Sequence, residues 1–344
     1  MRKRSQPRNT ALVAVLFLLI LALVFARHCR DGMRRFHPSR PVSQAIPRPT
    51  PQEARILLVG DIMLSRGVAA QMKRAQDWDL PFRDVRDFLR SADLNFGNLE
   101  SPFSTRDRAT PHGSMIFNAP PPGVQGLEDY GFRVVSLANN HAFDQGADGL
   151  AYTLQHLHEH HIQTVGAGHS LAEAWQPALF DLRGTKVAFL AASYASINDN
   201  GSATNPYLAR IADVPRLTAA VSTLKSQNAF VIVSMHAGAE YTAQPNARQI
   251  AFAHAAIDAG AGVVVGHHPH WTQSIERYKG ALIFYSLGNF VFDQGQSKDT
   301  REGLAVKLHL LQGRLLSADL HPIQIERYCC PRLAPGADPI HVLP

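Results

Sequence analysis

The chain has 344 residues, 45% of them apolar and 18% charged, which is enough to bury one large core or two ordinary ones. Its formal net charge of +6 does not call for a nucleic acid. Much of the excess sits in Arg2, Lys3, Arg4 and Arg8 and again in Arg27, Arg30, Arg34 and Arg35, on either side of an apolar run, as at a membrane flank.

Residues 1–10 form a basic N-terminal segment, followed by "ALVAVLFLLILALVFA", sixteen residues without a polar interruption. As a helix this run is about 24 Å long, at the short end for a hydrocarbon core of about 30 Å. The sequence therefore predicts a transmembrane signal-anchor over 11–27. A cleaved secretory signal is the alternative, for which Arg27-His28 makes a poor exit. An anchor makes this a single-pass protein of the cytoplasmic (inner) membrane with its folded part outside the cytoplasm. Residues 28–54 include "HPSRPVSQAIPRPTPQE", whose five prolines remove backbone donors and fix φ, so this stretch reads as an extended tether. One folded domain is expected over 55–330, with a tail over 331–344.

Within that domain the apolar runs "RILLVGD", "DLNFGNLE", "FRVVSLANNH", "KVAFLAASY", "AFVIVSMHAG", "GVVVGHHPH" and "ALIFYSLGNF" are continuous rather than alternating, as in strands covered on both faces. Helical patterns lie between them, such as "GADGLAYTLQHLHEHH" with Leu150, Leu154 and Leu157 in one stripe. Strands alternating with helices predict an α/β fold. After Glu302, two β-like runs around Gln312-Gly313 predict a closing hairpin. The cysteines, Cys29, Cys329 and Cys330, make no disulfide framework, since neighbouring Cys329 and Cys330 are poorly placed to bridge each other.

The polar residues fall where these strands end. Asp61 follows "ILLVG", Asn98 and Glu100 follow "DLNFG", and Asn139, Asn140 and His141 follow "VVSLA". His236 follows "VIVSM", and His267, His268 and His270 follow "VVVG". In an extended segment His268 and His270 project to one side and His267 to the other, and Pro269 keeps His268 out of the helical region. Such a pair offers two imidazoles to one metal, and Asp61 and Glu100 can add carboxylate oxygens. Mixed His, Asp, Glu and Asn ligation suits a divalent ion, Mn, Fe or Zn, in a hydrolytic site.

Singly, each residue has a plainer role: Asp61 could cap a helix, Asn139-Asn140 could make a turn, and His236 could be a core histidine. Five strand ends discharging ligand-type residues together favour a site, because α/β sheets place sites at their carboxyl ends. Two other features are set aside. The histidines of "LQHLHEHH" fall mostly off the leucine stripe, on a solvated face, and "VGAGHS" lacks the Lys-Ser/Thr ending of a phosphate loop.

The motifs "GDIMLSRG", "GNLESP", "LANNHAFDQG", "HAGAEY", "GHHPH" and "YSLGNFVFD", in that order over roughly Ile56 to Asp293, resemble those of the CapA family of poly-γ-glutamate capsule synthesis proteins, a branch of the calcineurin-like metallophosphatase superfamily. The resemblance implies a four-layer αββα sandwich with a site at one edge, holding one or two divalent ions. By position it implies Asp61, Glu100, Asn140, His236, His268 and His270 as metal ligands and His141 as general acid. Ala142 stands where an acidic neighbour is usual, so Asp144 would orient the imidazole. Asn98, Asn139, Arg66, Glu240 and His267, beside these ligands in the same motifs, are expected to meet the substrate. Met63 replaces the histidine of the superfamily's first Asp-x-His, and a thioether is a weak partner for a hard dication, so one ion position should be the poorer. Ala237 and Gly262 depart from the family where Trp and Asp are common.

The function expected on this resemblance is a membrane-anchored metallophosphatase-like protein of capsule polymer synthesis or export. Its partners would be capsule synthase and membrane export subunits and an anionic polymer or phosphoester, with no nucleic acid. The alternatives are a freestanding metal-dependent phosphoesterase acting on an envelope phosphoester, and a non-catalytic scaffold of a polymer synthase.

Overall fold

Along β1 (Ala54–Ile62) Ile56 and Leu58 face one way and Leu57 and Val59 the other, and all four are fully buried. In the computed structural model, which describes residues 52–105, 113–194, 205–336 and 338–344, that double burial comes from layers on both sides of the strand. The elements that follow are α1 (Arg66–Ala75), a 3₁₀ segment (Leu80–Val85), α2 (Arg86–Leu89), β2 (Leu94–Leu99), α3 (Val124–Asp129), β3 (Phe132–Ser136), α4 (Gly146–Glu159) and β4 (Gln163–Val165). Next come α5 (Leu171–Ala174), β5 (Ala178–Leu182), β6 (Thr185–Ser193), α6 (Val214–Ser226), β7 (Phe230–His236), α7 (Ala247–Asp258) and β8 (Val263–His267). The chain closes with β9 (Ile275–Tyr278), β10 (Ala281–Phe284), β11 (Asn289–Val291), β12 (Glu302–Leu311), β13 (Arg314–Glu326), β14 (Cys330–Leu333) and β15 (Ile340–Val342).

Two sheets result. The larger runs β14-β13-β12-β1-β2-β3-β4, with β11 pairing β1 and β15 pairing β13; the smaller runs β5-β6-β7-β8-β10-β9. Neighbours within β1-β2-β3-β4 and within β6-β7-β8-β10 are parallel, β11 is parallel to β1, and the other flanking strands are antiparallel. Ile56, Leu58 and Phe96 of the larger sheet share one core with Val187, Phe189 and Ile232 of the smaller, and Phe96 stacks on Phe189 with ring centroids 5.2 Å apart. The outer face of the larger sheet packs Leu57 and Val59 against Val68 and Met72 of α1 and Leu150 and Leu157 of α4. The outer face of the smaller packs Leu190 and Val231 against Leu217 and Val221 of α6 and Phe252 and Ala256 of α7. The expected order of helices, sheet, sheet and helices is present.

Local chemistry sets the ends of these elements. Asn246 caps α7 by accepting from the backbone of Arg248 and Gln249, while the Gln249 side chain accepts from the Asn246 backbone. The expected hairpin joins β12 to β13 through Gln312 and Gly313, both at positive φ (50° and 76°), a turn whose twist matches that of the strands.

Three expectations need comment. The segment 11–27 and the tether up to residue 51 lie outside the described residues, among which no helix is long and apolar enough to cross a membrane. The stretch 331–344, expected as a tail, supplies most of β14 and all of β15, both paired with β13. The expectation that Cys329 and Cys330 do not bridge is overturned: their sulfurs are bonded to each other, and both residues are buried. An extended pair would point its side chains apart. Here Arg327 and Tyr328, at φ 53° and 54°, turn the chain tightly just before Cys329.

Candidate metal centre

The carboxyl ends of β1, β2 and β3 from one sheet and of β7 and β8 from the other meet at one rim. Asp61 sits near the end of β1, with its N–H donating to Gly288 O at 3.0 Å. Glu100 follows β2 and is held by Glu100 N–H to Ile62 O at 2.8 Å. His236 ends β7, and His267 ends β8. His268 and His270 correct the sequence reading. They are not extended but lie at φ 98° and 58°, so the chain leaves the strand through two residues at positive φ.

Two sets of three donor atoms converge, each set lying within 4.8 Å of one another: Glu100, His236 and His268, and Asp61, Glu100 and His270. Glu100 belongs to both. Its Oε1 is buried with no hydrogen-bond partner, and the Nε2 atoms of His141, His236 and His270 stand 4.0, 3.9 and 3.9 Å away. His268 Nδ1 is likewise buried and unpartnered. Orphaned atoms of this kind cost roughly 1–3 kcal/mol each, and a cation between them removes that cost. Imidazole nitrogen mixed with carboxylate oxygen is the donor set of a borderline divalent ion, so these residues fit one or two such ions. Met63 is buried and accepts from Ser65 N–H through its sulfur at 3.0 Å, so it adds no donor.

Hydrogen bonds around the donors fix their orientation. Asn98 Nδ2 donates to Asp61 Oδ1 at 2.8 Å and lies 3.3 Å from both Glu100 Oε2 and His236 Nδ1. Asn139 Nδ2 donates to Asn98 Oδ1 at 3.0 Å, and Asn139 Oδ1 accepts from His141 N–H at 3.0 Å. Asn140 Oδ1 is 2.7 Å from His236 Nε2, which places it beside the first donor set. His141 Nδ1 meets Asp144 Oδ2 at 2.7 Å, leaving Nε2 facing Glu100. Asp144 thus stands where an orienting carboxylate was expected.

Of the five residues expected to meet substrate, only Glu240 is exposed. Asn98 and Asn139 are fully buried in the network just described. His267 is also fully buried, with Nδ1 3.3 Å from Asp61 Oδ1, so it packs on a ligand instead of facing the opening. Arg66 is ion-paired with Asp293 and donates through Nη1 to Ser114 O at 3.0 Å. Its charge is turned into the protein.

Burial and mutual repulsion push the two central carboxyls apart. Glu100 is held well above the usual carboxylate range by burial, then by the charges of Asp61 and Glu240. Burial also works to raise Asp61, but the imidazoles of His267 and His270 beside it outweigh that and hold Asp61 well below that range. Burial, with His268 alongside, drives His236 down, and burial with His270 alongside takes His268 down to about 3. Both imidazoles are therefore neutral at pH 7, the form that can bind a metal.

The structure adds residues that sequence patterns did not single out. Asn289 Oδ1 lies 2.9 Å from His270 Nδ1 and steers His270 Nε2 toward Glu100. In the sequence it lies within the motif "YSLGNFVFD", as a polar residue in an apolar run. Tyr194 lies 4.7 Å from His268, ring to ring, and Tyr241 6.1 Å from His270. Phe117 stacks on His141 at 3.8 Å. Neither Tyr194 nor Phe117 stood in a motif.

A family model described as "Bacterial capsule synthesis protein PGA_cap" matches residues 55–294, a span that contains every donor named above. The capsule biosynthesis protein CapA of Bacillus anthracis is 32% identical over 335 residues, covering 94% of this chain and 78% of that one. The PGA biosynthesis protein CapA of Bacillus subtilis (strain 168) is 35% identical over 328 residues, covering 94% and 82%. A probable polyglutamine synthesis accessory protein of Mycobacterium tuberculosis (strain H37Rv) is 28% identical over 315 residues, covering 84% and 82%. With a family model spanning the whole site and relatives matched along nearly its full length, this chain belongs to the bacterial capsule synthesis protein PGA_cap family.

Proposed function

We propose that this chain is a membrane-anchored accessory protein of poly-γ-glutamate capsule synthesis or export, and that its rim site is a metal-dependent hydrolytic centre acting on a phosphoester outside the cytoplasm. The observation that carries the reading is Glu100: a fully buried carboxyl with an orphaned oxygen, shared by two donor sets from two sheets. The names of the Bacillus relatives support the capsule assignment. The apolar run at 11–26 supports anchoring, and the Cys329–Cys330 disulfide supports an oxidising compartment.

In this reading Asp61, Glu100 and His270 hold one ion and Glu100, His236 and His268 the other, with Asn140 beside His236. Divalent ions there supply Lewis acidity toward an anionic phosphoryl group. The protein supplies the proton. His141, oriented at Nδ1 by Asp144, carries it on Nε2 toward the departing oxygen, a contribution of about 10²–10⁴ in rate. Asn98 and Asn139 hold Asp61 and the His141 backbone in register through the 2.8 and 3.0 Å bonds given above.

The test is metal analysis of the purified full-length protein, coupled to turnover of a phosphodiester with added Mn. Stoichiometric metal and turnover abolished by His268→Ala are expected. Metal-free protein without turnover, together with capsule formation that survives His268→Ala and Asp61→Ala at normal protein levels, overturns the reading in favour of a non-catalytic scaffold.

A further inference from the structure

Phe117 lies outside every motif that gathers the donors, yet it touches both halves of the His141–Asp144 pair. Its ring covers the His141 imidazole, centroids 3.8 Å apart and planes 22° from parallel. Its N–H donates to Asp144 Oδ2 at 2.6 Å, the same oxygen that meets His141 Nδ1, and its carbonyl accepts from Gln145 Nε2 at 2.8 Å. One residue thus closes a face of the imidazole and fixes the carboxylate that orients it.

Phe117 is itself held from behind. The Arg66 guanidinium lies 4.7 Å over the Phe117 ring and 5.6 Å over that of Phe292, and it is anchored by Asp293, whose Oδ2 accepts from Gly67 N–H at 2.9 Å. Ser65 Oγ accepts from Asn118 N–H at 2.9 Å and donates to Asn118 O at 3.1 Å, tying the segment to the start of α1. Met115 and Ile116, its neighbours, are 61% and 59% exposed, whereas Phe117 is 2% exposed. The chain turns this one side chain inward.

We propose that Phe117 is a positioning residue for His141, with Arg66 and Asp293 as its brace. An imidazole bonded through one nitrogen can still swing about that bond. A ring stacked on its face removes this freedom and keeps Nε2 aimed at the cluster around Glu100. Misplacing a reacting group by about 1 Å costs about 10²-fold in rate. The kinetic half of this inference rests on the hydrolytic reading above, and the structural half does not.

The test compares full-length wild type with Phe117→Leu, which keeps apolar bulk but loses the flat face, and Phe117→Tyr, which keeps the ring. In chelator-treated protein, site-resolved diethyl pyrocarbonate labelling is expected to rise about tenfold at His141 in Phe117→Leu while His268 and His270, equally buried, are unchanged; Phe117→Tyr should restore the wild-type pattern. With Mn bound, kcat on a phosphodiester falls about 10²-fold at near-constant KM and metal content, as when an interaction specific to the transition state is lost. Unchanged His141 labelling in Phe117→Leu, or all three histidines becoming reactive together, overturns the proposal. If the wild type turns over nothing, the hydrolytic reading fails, while a selective change at His141 still upholds the positioning role and its absence still overturns it.

Discussion

At the scale of single residues, Glu100 is a fully buried carboxyl left uncompensated at one oxygen without a cation. Its Oε1 has no partner, and burial with the charges of Asp61 and Glu240 holds its proton on well above the usual carboxylate range. A raised acid pKa in the fold means that the native state keeps a proton the unfolded chain has already lost. Stability is therefore full below about 4.5 and falls as pH rises toward the folded value, by about 1.4 kcal/mol per pH unit. Glu100→Gln has nearly the shape of the protonated side chain and cannot ionise. Metal-free Glu100→Gln is expected to match wild type near pH 4.5 and to exceed it progressively as pH rises, while binding no metal. Thermal melts of both chelator-treated proteins from pH 4.5 to 8 check this. A variant that is less stable than wild type at pH 8 would mean that the Glu100 charge is compensated by groups other than a cation.

At the scale of elements, the segment from Tyr285 to Asn289 carries the chain from β10 of the smaller sheet to β11 beside β1 of the larger. It passes so close to both that side chains are barred at two positions. A Cβ at Gly60 would lie 2.0 Å from Gly288 O, and one at Gly266 would lie 1.9 Å from Tyr285 O. Asp61 N–H to Gly288 O at 3.0 Å and Leu287 N–H to Gly266 O at 3.1 Å complete the contact. Gly266→Ala must move backbone rather than a flexible side chain, and we expect a loss of about 3 kcal/mol in denaturant melts together with the metal site, because Asn289 moves with the segment. A variant of wild-type stability with metal intact would show that the segment yields freely.

These elements also mark what could be read from sequence. Asp61, Glu100 and His236 were legible because continuous apolar runs stop at them, a signal that depends only on local order. The path of His268 and His270 was not, since left-handed backbone at non-glycine residues is imposed by tertiary contacts. Nor was Asn289, whose role comes from pairing with β1, far away in the chain.

At the scale of the molecule, Asp61 and Glu100 come from the larger sheet and His236, His268 and His270 from the smaller. The apolar core between the sheets, with Phe96 stacked on Phe189, joins them without help from the rim. A cation at the rim adds a second link at one end only, made of donors that neither sheet can supply alone. The metal-free protein should therefore stay folded and gain stability by mass action, about 2.7 kcal/mol at a metal concentration of 100 Kd. Asp61→Ala and His268→Ala remove donors from opposite sheets, yet each should abolish the gain on adding Mn, as measured by the shift of the full-length protein's denaturation midpoint. Were the Mn-dependent shift to survive in one variant and vanish in the other, the stabilising ion would be held by the donor set left intact in the surviving variant, Glu100, His236 and His268 in Asp61→Ala or Asp61, Glu100 and His270 in His268→Ala, and a shift that survived in both would leave the link between the sheets to the apolar core alone.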